Sequence, residues 1–471
     1  MKLTKIVATV SDSRCEPEFI LKLKNAGVNV FRINSAHISR EGFVRIVENI
    51  RSIDRSLAIM IDTKGPEVRT TATADGNPVI FKKGDTVRLA TGPDVPTCAS
   101  EIGFNFGGLP MLLSAGDRLI IDDGELSLRV VAGKGEEIRA AVEYDGKLGN
   151  RKTVNVPGIE VPLPAVSGRD MEFIRLAVEM GVDFIAHSFV RSAGDVDAVK
   201  AVLEELNSDI KIISKIENQQ GINNFDSILE SSYGIMIARG DLGIEIAAEK
   251  IPGMQIMMIE KCIACHKPVI VATQMLHSMM EHPRPTRAEV SDVAAAVSQR
   301  ADAMMLSGET AVGKYPVEAV ETMSRIAEEV ERTVSVKKEV PAMIDKEVSS
   351  FIARQAVLSE TKVGTKAVIT DSHHGQTARY ISSFRGSNPT IAICYNHSVE
   401  RFLSLSFGVF PQYFSPEIND GKNNPADAFK EIIRKKILPA DARVAYISGN
   451  STSATTLEIE KLETLAEDRC G

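Results

Sequence analysis

Apolar residues fall into two registers along the chain. Short, nearly unbroken apolar runs at residues 5–10, 28–34 and 58–62 predict three buried strands, and the segments 16–26 and 40–53 between them carry apolar positions at helical spacing. Strand and helix in alternation imply a parallel sheet. From about residue 70 to 156 the pattern changes to short alternating strands broken by turns such as Asp75-Gly76-Asn77, Lys83-Gly84-Asp85, Ala115-Gly116-Asp117 and Asp123-Gly124, which predicts a separate all-β module. Pro157-Gly158 and Leu163-Pro164 mark a return to the first pattern, with five more strands expected at 183–189, 210–216, 234–238, 268–273 and 301–306. Three strands and five make the eight of a closed (β/α)₈ TIM barrel. A glutamate-rich helix over 317–334 and a polar stretch to about residue 345 follow. The remainder alternates again, with strands expected at 367–370, 390–394, 409–414 and 444–447. The expected fold is therefore α/β: a barrel from 1–69 and 157–334, an inserted all-β lid domain at 70–156, and a C-terminal α/β domain at 345–471.

Composition narrows the function classes. A chain of 471 residues is too long for one ordinary core, and its hydrophobic (44%) and charged (25%) fractions are those of a globular protein. The formal net charge of −8 gives no long-range attraction to nucleic acid, so an anionic substrate needs a local basic site. No apolar run approaches the ~20 residues that cross a bilayer, and the N-terminus lacks the form of a signal peptide; neither a membrane nor a nucleic-acid partner is expected, and the expected location is cytoplasmic. Of the six cysteines only Cys262 and Cys265 form a C-x-x-C pair. They sit in a helix-like run without a second pair, which reads as two reduced, packed thiols rather than a metal or redox site.

The chemistry gathers at the C-terminal ends of the barrel strands, where such barrels place their sites. The second ends Arg32-Ile33-Asn34, the third Asp62-Thr63-Lys64-Gly65-Pro66, the fourth Ser188-Phe189-Val190-Arg191 and the fifth Lys215-Ile216-Glu217-Asn218. The sixth ends Arg239-Gly240-Asp241, the seventh Thr273-Gln274 and the eighth Ser307-Gly308-Glu309-Thr310. Glu217 and Asp241 are hard oxygen ligands of the kind Mg²⁺ takes, one or two at a time with substrate oxygens. Arg32 and Lys215 are placed to neutralise a phosphoryl group. Gly240-Asp241 opens a segment whose free N–H groups suit a carboxylate. A single carboxylate at a strand end is more often a cap, and Lys215 two residues before Glu217 is compatible with a plain ion pair. The convergence of seven ends points to a metal-assisted enzyme acting on a phosphorylated or carboxylated small molecule.

The stretches TKIVAT, NVFRIN, IDTKGPEVRT, IDDGEL, VNVPG, ISKIENQQGINNFD, IMIARGDLGIE, ATQMLHSM, PRPTRAE and MLSGETAVGKYPVEAV resemble the pyruvate kinase family over essentially the whole chain. The resemblance implies phosphoryl transfer from phosphoenolpyruvate to ADP, giving pyruvate and ATP. It also implies Mg²⁺ (or Mn²⁺), K⁺, a homotetramer and an effector-linked C-terminal domain compatible with a phosphorylated allosteric ligand. By position, Arg32 resembles the binder of the substrate phosphate, Lys215 the stabiliser of the phosphoryl in flight, and Glu217 and Asp241 the Mg²⁺ ligands. Gly240, Asp241 and Thr273 resemble the carboxylate site, with Thr273 also near the proton donor to the enolate. Asn34, His37, Arg69 and Lys152 resemble nucleotide-contacting positions; Asn34, Asp62 and Thr63 resemble K⁺ ligands. Arg287, in the basic segment Arg284-Pro285-Thr286-Arg287, resembles a position that braces a neighbouring subunit.

Three departures stand out. The family's Thr-Ile-Gly-Pro after the first strand is Thr9-Val10-Ser11-Asp12 here, and Asn-Phe-Ser-His-Gly is Asn34-Ser35-Ala36-His37-Ile38, which removes a serine expected on K⁺. In the C-terminal part, residues 370–377 match a phosphate-binding loop only loosely and Gly449-Asn450-Ser451-Thr452-Ser453 replaces a glycine-rich loop; a surface turn without ligand is the alternative reading there. Two other readings of the chain as a whole remain: another metal-dependent barrel enzyme of the phosphoenolpyruvate/pyruvate group, and a catalytically weak homologue kept for regulation.

Overall fold

The computed structural model describes residues 1–92, 94–133, 137–334, 341, 347–415, 425–449 and 454–467. Eight parallel strands close a barrel: Lys5–Val10, Val30–Asn34, Ala58–Asp62, Phe184–His187, Lys211–Ile216, Gly234–Ala238, Val269–Ala272 and Ala303–Leu306. They are numbered one to eight below. The first pairs with the second and the eighth, so the sheet has no edge. Strand alternation sends one set of side chains into the lumen, where Val7, Val30, Met60, Phe184, Ile213, Met236, Ile270 and Met305 pack, and the other set outward beneath the helices. Phe402 and Leu405, from the C-terminal part of the chain, complete the lumen's packing.

The helices start where local chemistry satisfies their first N–H groups. Ser39 accepts from Gly42 N at the head of Arg40–Ile53, and capping boxes open Gly168–Glu179 (Ser167 with Asp170) and Arg287–Ser298 (Thr286 with Glu289). Three of the eight expected barrel strands match exactly, and the other five run one to three residues too long. The fourth and seventh stop early because Phe189 (φ 56°) and Thr273 (φ 69°) leave the extended region for the left-handed one.

Between the third and fourth barrel strands the chain builds a six-stranded sheet, in spatial order Val154–Asn155, Arg118–Ile121, Leu126–Ala132, Arg139–Val142, Thr86–Leu89, Glu101–Ile102, with a two-stranded ribbon beside it. This sheet has its own core around Phe81, Val87, Leu89, Phe104, Leu119 and Leu128. The C-terminal part forms a five-stranded sheet ordered Val409–Tyr413, Thr390–Cys394, Ala367–Ser372, Arg443–Gly449, Ala454–Lys461. Sequence periodicity found four of these strands. The fifth, antiparallel to its neighbour, reads Ala-Thr-Thr-Leu-Glu-Ile-Glu-Lys, half-exposed and without an apolar run to announce it.

Two expectations need correction or limit. Cys262 is a buried free thiol, but Cys265 is exposed, so the pair is not packed together; burial pushes the Cys262 thiol well up. The replaced loop at 450–453 lies outside the described residues.

Candidate active site

The first four strand ends and the fifth meet in one buried polar network. Arg32 donates from Nε to Asp62 Oδ2 (2.7 Å) and from Nη1 to Thr9 Oγ1 (2.9 Å), its register neighbour on strand one. Asp62 Oδ1 takes Lys215 Nζ (3.0 Å) and Ser188 Oγ (3.1 Å). Lys215 Nζ also reaches Ser188 Oγ at 2.7 Å and Glu217 Oε1 at 3.0 Å. Glu217 Oε2 accepts the Phe189 N–H at 2.6 Å. The left-handed turn at Phe189 aims that N–H, and it fits because residue 65 is glycine: a Cβ there would sit 2.8 Å from the Phe189 ring and 2.9 Å from Ser188 Cβ.

The charges do not balance. Burial alone would discharge the Lys215 ammonium, but Asp62 and Glu217 more than offset it and its pKa is raised. The Asp62 carboxyl is held low because Arg32 and Lys215 together outweigh its burial. Glu217 goes the other way: burial pushes it up to about 7, Lys215 offsets only part, and the nearby Asp241 charge adds to the rise. Asp241 is raised as well, by burial first. Two acidic groups thus share one lysine that is already committed to Asp62. A divalent cation fits that pair, and among the described residues no group of three or more His, Cys, Asp or Glu side chains offers an all-protein metal cage.

Thr273 and Gln274 (φ 69° and 55°) are consecutive left-handed residues, and the first is β-branched. Such strain costs on the order of 1–3 kcal/mol per residue and persists where surroundings enforce it. Arg239 does so: it donates to the Thr273 carbonyl (2.8 Å) while its other contacts form a bidentate pair with Asp292 (2.6 and 2.7 Å). Thr273 Oγ1 in turn accepts the Gly240 N–H at 2.7 Å. The expected short helix is Arg239–Glu245, but the Gly240 N–H is not free as sequence reasoning supposed; its partner is the Thr273 hydroxyl.

The other expected residues are dispersed more widely. Asn34 is the register partner of Asp62, and its Oδ1 accepts the Ala36 N–H at 3.0 Å. The Thr63 carbonyl accepts Ser188 Oγ at 2.7 Å. His37 is exposed in the turn after strand two. Arg69 and Lys152 lie on paired segments at the base of the inserted sheet. Arg69 bonds Glu67 and the Arg151 carbonyl, Lys152 pairs with Asp122 at 2.9 Å, and the Lys152 carbonyl accepts the Thr70 N–H. Among the described residues no hydrogen bond or ion pair joins His37, Arg69 or Lys152 to the Arg32–Lys215 network.

Sequence reasoning passed over four side chains. Ser188 is the junction of Lys215, Asp62 and Thr63; Thr9 holds Arg32; Arg239 clamps Thr273; and Ser35 Oγ, next to Asn34 in sequence, is buried with no hydrogen-bond partner among the described residues. Ser188 and Arg239 stand at strand ends, which was the available signal. Ser35 had none. In the C-terminal sheet the loosely matching loop carries Asp371, whose carboxylate accepts from Tyr395 (2.8 Å) and Tyr446 (2.5 Å).

The fold and this network define a barrel whose strand ends gather one arginine, one lysine and a crowded carboxylate pair in one buried polar site. Residues 1–320 match the family model described as the pyruvate kinase barrel domain, and residues 350–459 the pyruvate kinase alpha/beta domain. A pyruvate kinase of Borreliella burgdorferi is 44% identical over 95% of this chain and 94% of its own length, and one of Bacillus licheniformis is 42% identical over 87% and 72%. The crystal structure of a pyruvate kinase from Cryptosporidium parvum superposes with a TM-score of 0.90 at 35% identity, covering 98% of this chain and 96% of that one. The chain belongs to the pyruvate kinase family and is a phosphotransferase with pyruvate kinase activity. No helix among the described residues is long and apolar enough to cross a membrane.

Proposed function

We propose that the chain carries the phosphoryl group of phosphoenolpyruvate to ADP at the strand-end network, giving pyruvate and ATP. The observation that carries the proposal is the buried Lys215 ammonium held 3.0 Å from both Asp62 and Glu217 at the strand ends. Phosphoryl transfer asks a protein for charge neutralisation and in-line positioning rather than covalent chemistry. Arg32, fixed by Asp62 and Thr9, holds the substrate phosphate. Lys215, charged and pinned by Ser188, faces the phosphoryl as it moves. The Gly240 N–H and Thr273 hydroxyl, now bonded to each other, exchange that bond for the substrate carboxylate. Thr273 then lies beside the enolate left after transfer; a hydroxyl is a poor acid, and a relayed water shares the task of protonating carbon.

Glu217 and Asp241 would hold Mg²⁺ or Mn²⁺, which would supply neutralisation of the charge that develops on the substrate. For K⁺ the fit rests on Asn34 Oδ1, the Thr63 carbonyl and Asp62, with the orphaned Ser35 hydroxyl the nearest replacement in sequence for the serine absent at position 36. Asn34, His37, Arg69 and Lys152 form the nucleotide side, brought in as the inserted module closes over the barrel and excludes water. The division into 1–69 with 157–334, 70–156 and 345–471 follows this assignment of roles. A homotetramer is part of the proposal, with Arg287 at a subunit contact; a light-scattering mass near the 51.2 kDa of one chain would exclude it. A phosphorylated effector is not assigned, because Asp371 puts a carboxylate at the loop that would receive it.

A lactate dehydrogenase-coupled assay tests the reaction. Pyruvate should form from phosphoenolpyruvate only when ADP and a divalent cation are both present. Turnover without ADP points to a lyase-like barrel enzyme. No turnover with Mg²⁺ and K⁺ supplied points to the weak regulatory homologue.

A further inference from the structure

Asp292 sits on Arg287–Ser298, the helix that follows the seventh strand. That helix is anchored at its head. Thr286 and Glu289 form its capping box, and Glu289 Oε1 also accepts the Ser278 N–H at 2.7 Å. The Asp292 carboxylate takes Arg239 Nη1 at 2.6 Å and Nη2 at 2.7 Å, and among the described residues it takes no other hydrogen bond. A two-pronged pair of this kind fixes the plane of the guanidinium as well as its charge.

The same guanidinium reaches the backbone of the strained turn. It donates from Nη2 to the Thr273 carbonyl (2.8 Å) and from Nε to the Ala272 carbonyl (3.4 Å). The Thr273 hydroxyl donates to that Ala272 carbonyl at 2.6 Å and accepts the Gly240 N–H at 2.7 Å. Arg239 is also the first residue of the short helix that carries Gly240 and Asp241. One guanidinium therefore locks the head of that helix to the turn after strand seven, and the Gly240–Thr273 contact spans the same two segments. The phosphoryl side is held separately: Arg32 by Asp62 and Thr9, Lys215 by Asp62, Ser188 and Glu217. Among the described residues no hydrogen bond or ion pair joins that group to Asp292, Arg239 or Thr273.

We propose that Asp292 is a positioning residue for the carbon side of the reaction: through Arg239 it holds the Thr273 hydroxyl where the substrate carboxylate and the enolate meet it. The inference rests on the reading of Gly240 and Thr273 as the carboxylate site given above. The Asp292 side chain is 34% exposed, so as a plain surface ion pair it would add little to stability. Its weight falls on the geometry of the turn.

Exchange of the pyruvate methyl protons with solvent, measured on the full-length protein with Mg²⁺ and K⁺, reads the carbon side without a transferring phosphoryl. Misplacing a reacting group by about 1 Å costs up to about 10²-fold. Asp292→Ala should slow exchange about 10-fold, with Thr273→Ala as the reference for loss of the hydroxyl itself. In the Thr273→Ala background Asp292→Ala should add no further loss, because it acts through that hydroxyl. Should Asp292→Ala not fold, Asp292→Asn decides: it loses the charge and half of the pair, and exchange should still fall about 3-fold. Unchanged exchange in the Asp292 variants beside slowed exchange in Thr273→Ala overturns the inference and leaves the carboxylate site standing. Losses that multiply in the double variant overturn it as well, as the mark of a general brace between helices. Unchanged exchange in Thr273→Ala overturns the reading of the Thr273 site itself, and this inference with it.

Discussion

The two ends of the barrel handle buried charge in opposite ways. At the N-terminal end, Arg385 makes a bidentate pair with Asp302 (3.0 and 2.6 Å), and Asp302 also accepts the N–H groups of Val269 and Phe407. Asp183 is shared by Arg51 and Arg401 and takes the Ile59 N–H. Glu331 accepts the N–H groups of Leu3 and Thr4. Lys5 is forced down to about 7 by burial and rests on the Val409 carbonyl. Each acid at this end is matched, and the pairs join barrel to C-terminal sheet. At the other end one lysine serves Asp62 and Glu217, Asp241 adds a further charge, and the peptide backbone is strained at Phe189, Thr273 and Gln274. Satisfied charge marks a joint; unsatisfied charge marks a site waiting for a ligand.

The comparison can be broken at either end. The largest effect on stability is expected from Arg385→Met, which leaves Asp302 buried without its cation. Such losses run about 3–5 kcal/mol, to be read by denaturant melts, with kcat of the folded fraction near normal. Lys215→Met should do the reverse. It should lower kcat by about 10²–10³ or more, as for loss of a preorganised stabilising group, with a smaller change in KM for phosphoenolpyruvate. A large fall in melting temperature with nearly normal kcat would instead make Lys215 a structural cation.

Potassium gives a finer test. Ala36→Ser restores one neutral oxygen, worth about 1–2 kcal/mol or roughly 5- to 30-fold in half-saturating K⁺, and should leave kcat at saturating K⁺ unchanged. Titration with potassium chloride at constant ionic strength reads it. Full activity without K⁺ would contradict the assignment. The smallest effect concerns pH. A proton on Glu217 competes with the divalent cation, and with the carboxyl raised to about 7 its protonated fraction grows as pH falls. Half-saturating Mg²⁺ should therefore rise about 5-fold from pH 7 to 6; no change would mean that Glu217 is not a ligand.

The eightfold strand count and the site's location were legible because strands buried on both faces read as unbroken apolar runs. Arg32, Asp62, Lys215 and Glu217 were legible as strand-end residues, and the network joins them. What escaped was set by contacts remote in sequence. Ser188 matters through Lys215 and Thr63, and Arg239 through Thr273. The Ala454–Lys461 strand is held by its neighbour rather than by its own pattern, and the engaged Gly240 N–H depends on a left-handed threonine that periodicity cannot foresee.

The claim that Lys215 serves the moving phosphoryl, and not the fold or the enolate, is tested most directly by one measurement on Lys215→Met: exchange of the pyruvate methyl protons with solvent, beside the rate of phosphoryl transfer. Exchange needs the cation pair and the carbon acid but no transferring phosphoryl. The account predicts exchange close to that of the wild type while transfer falls by about 10²–10³. Parallel loss of both, or transfer left intact, would contradict it.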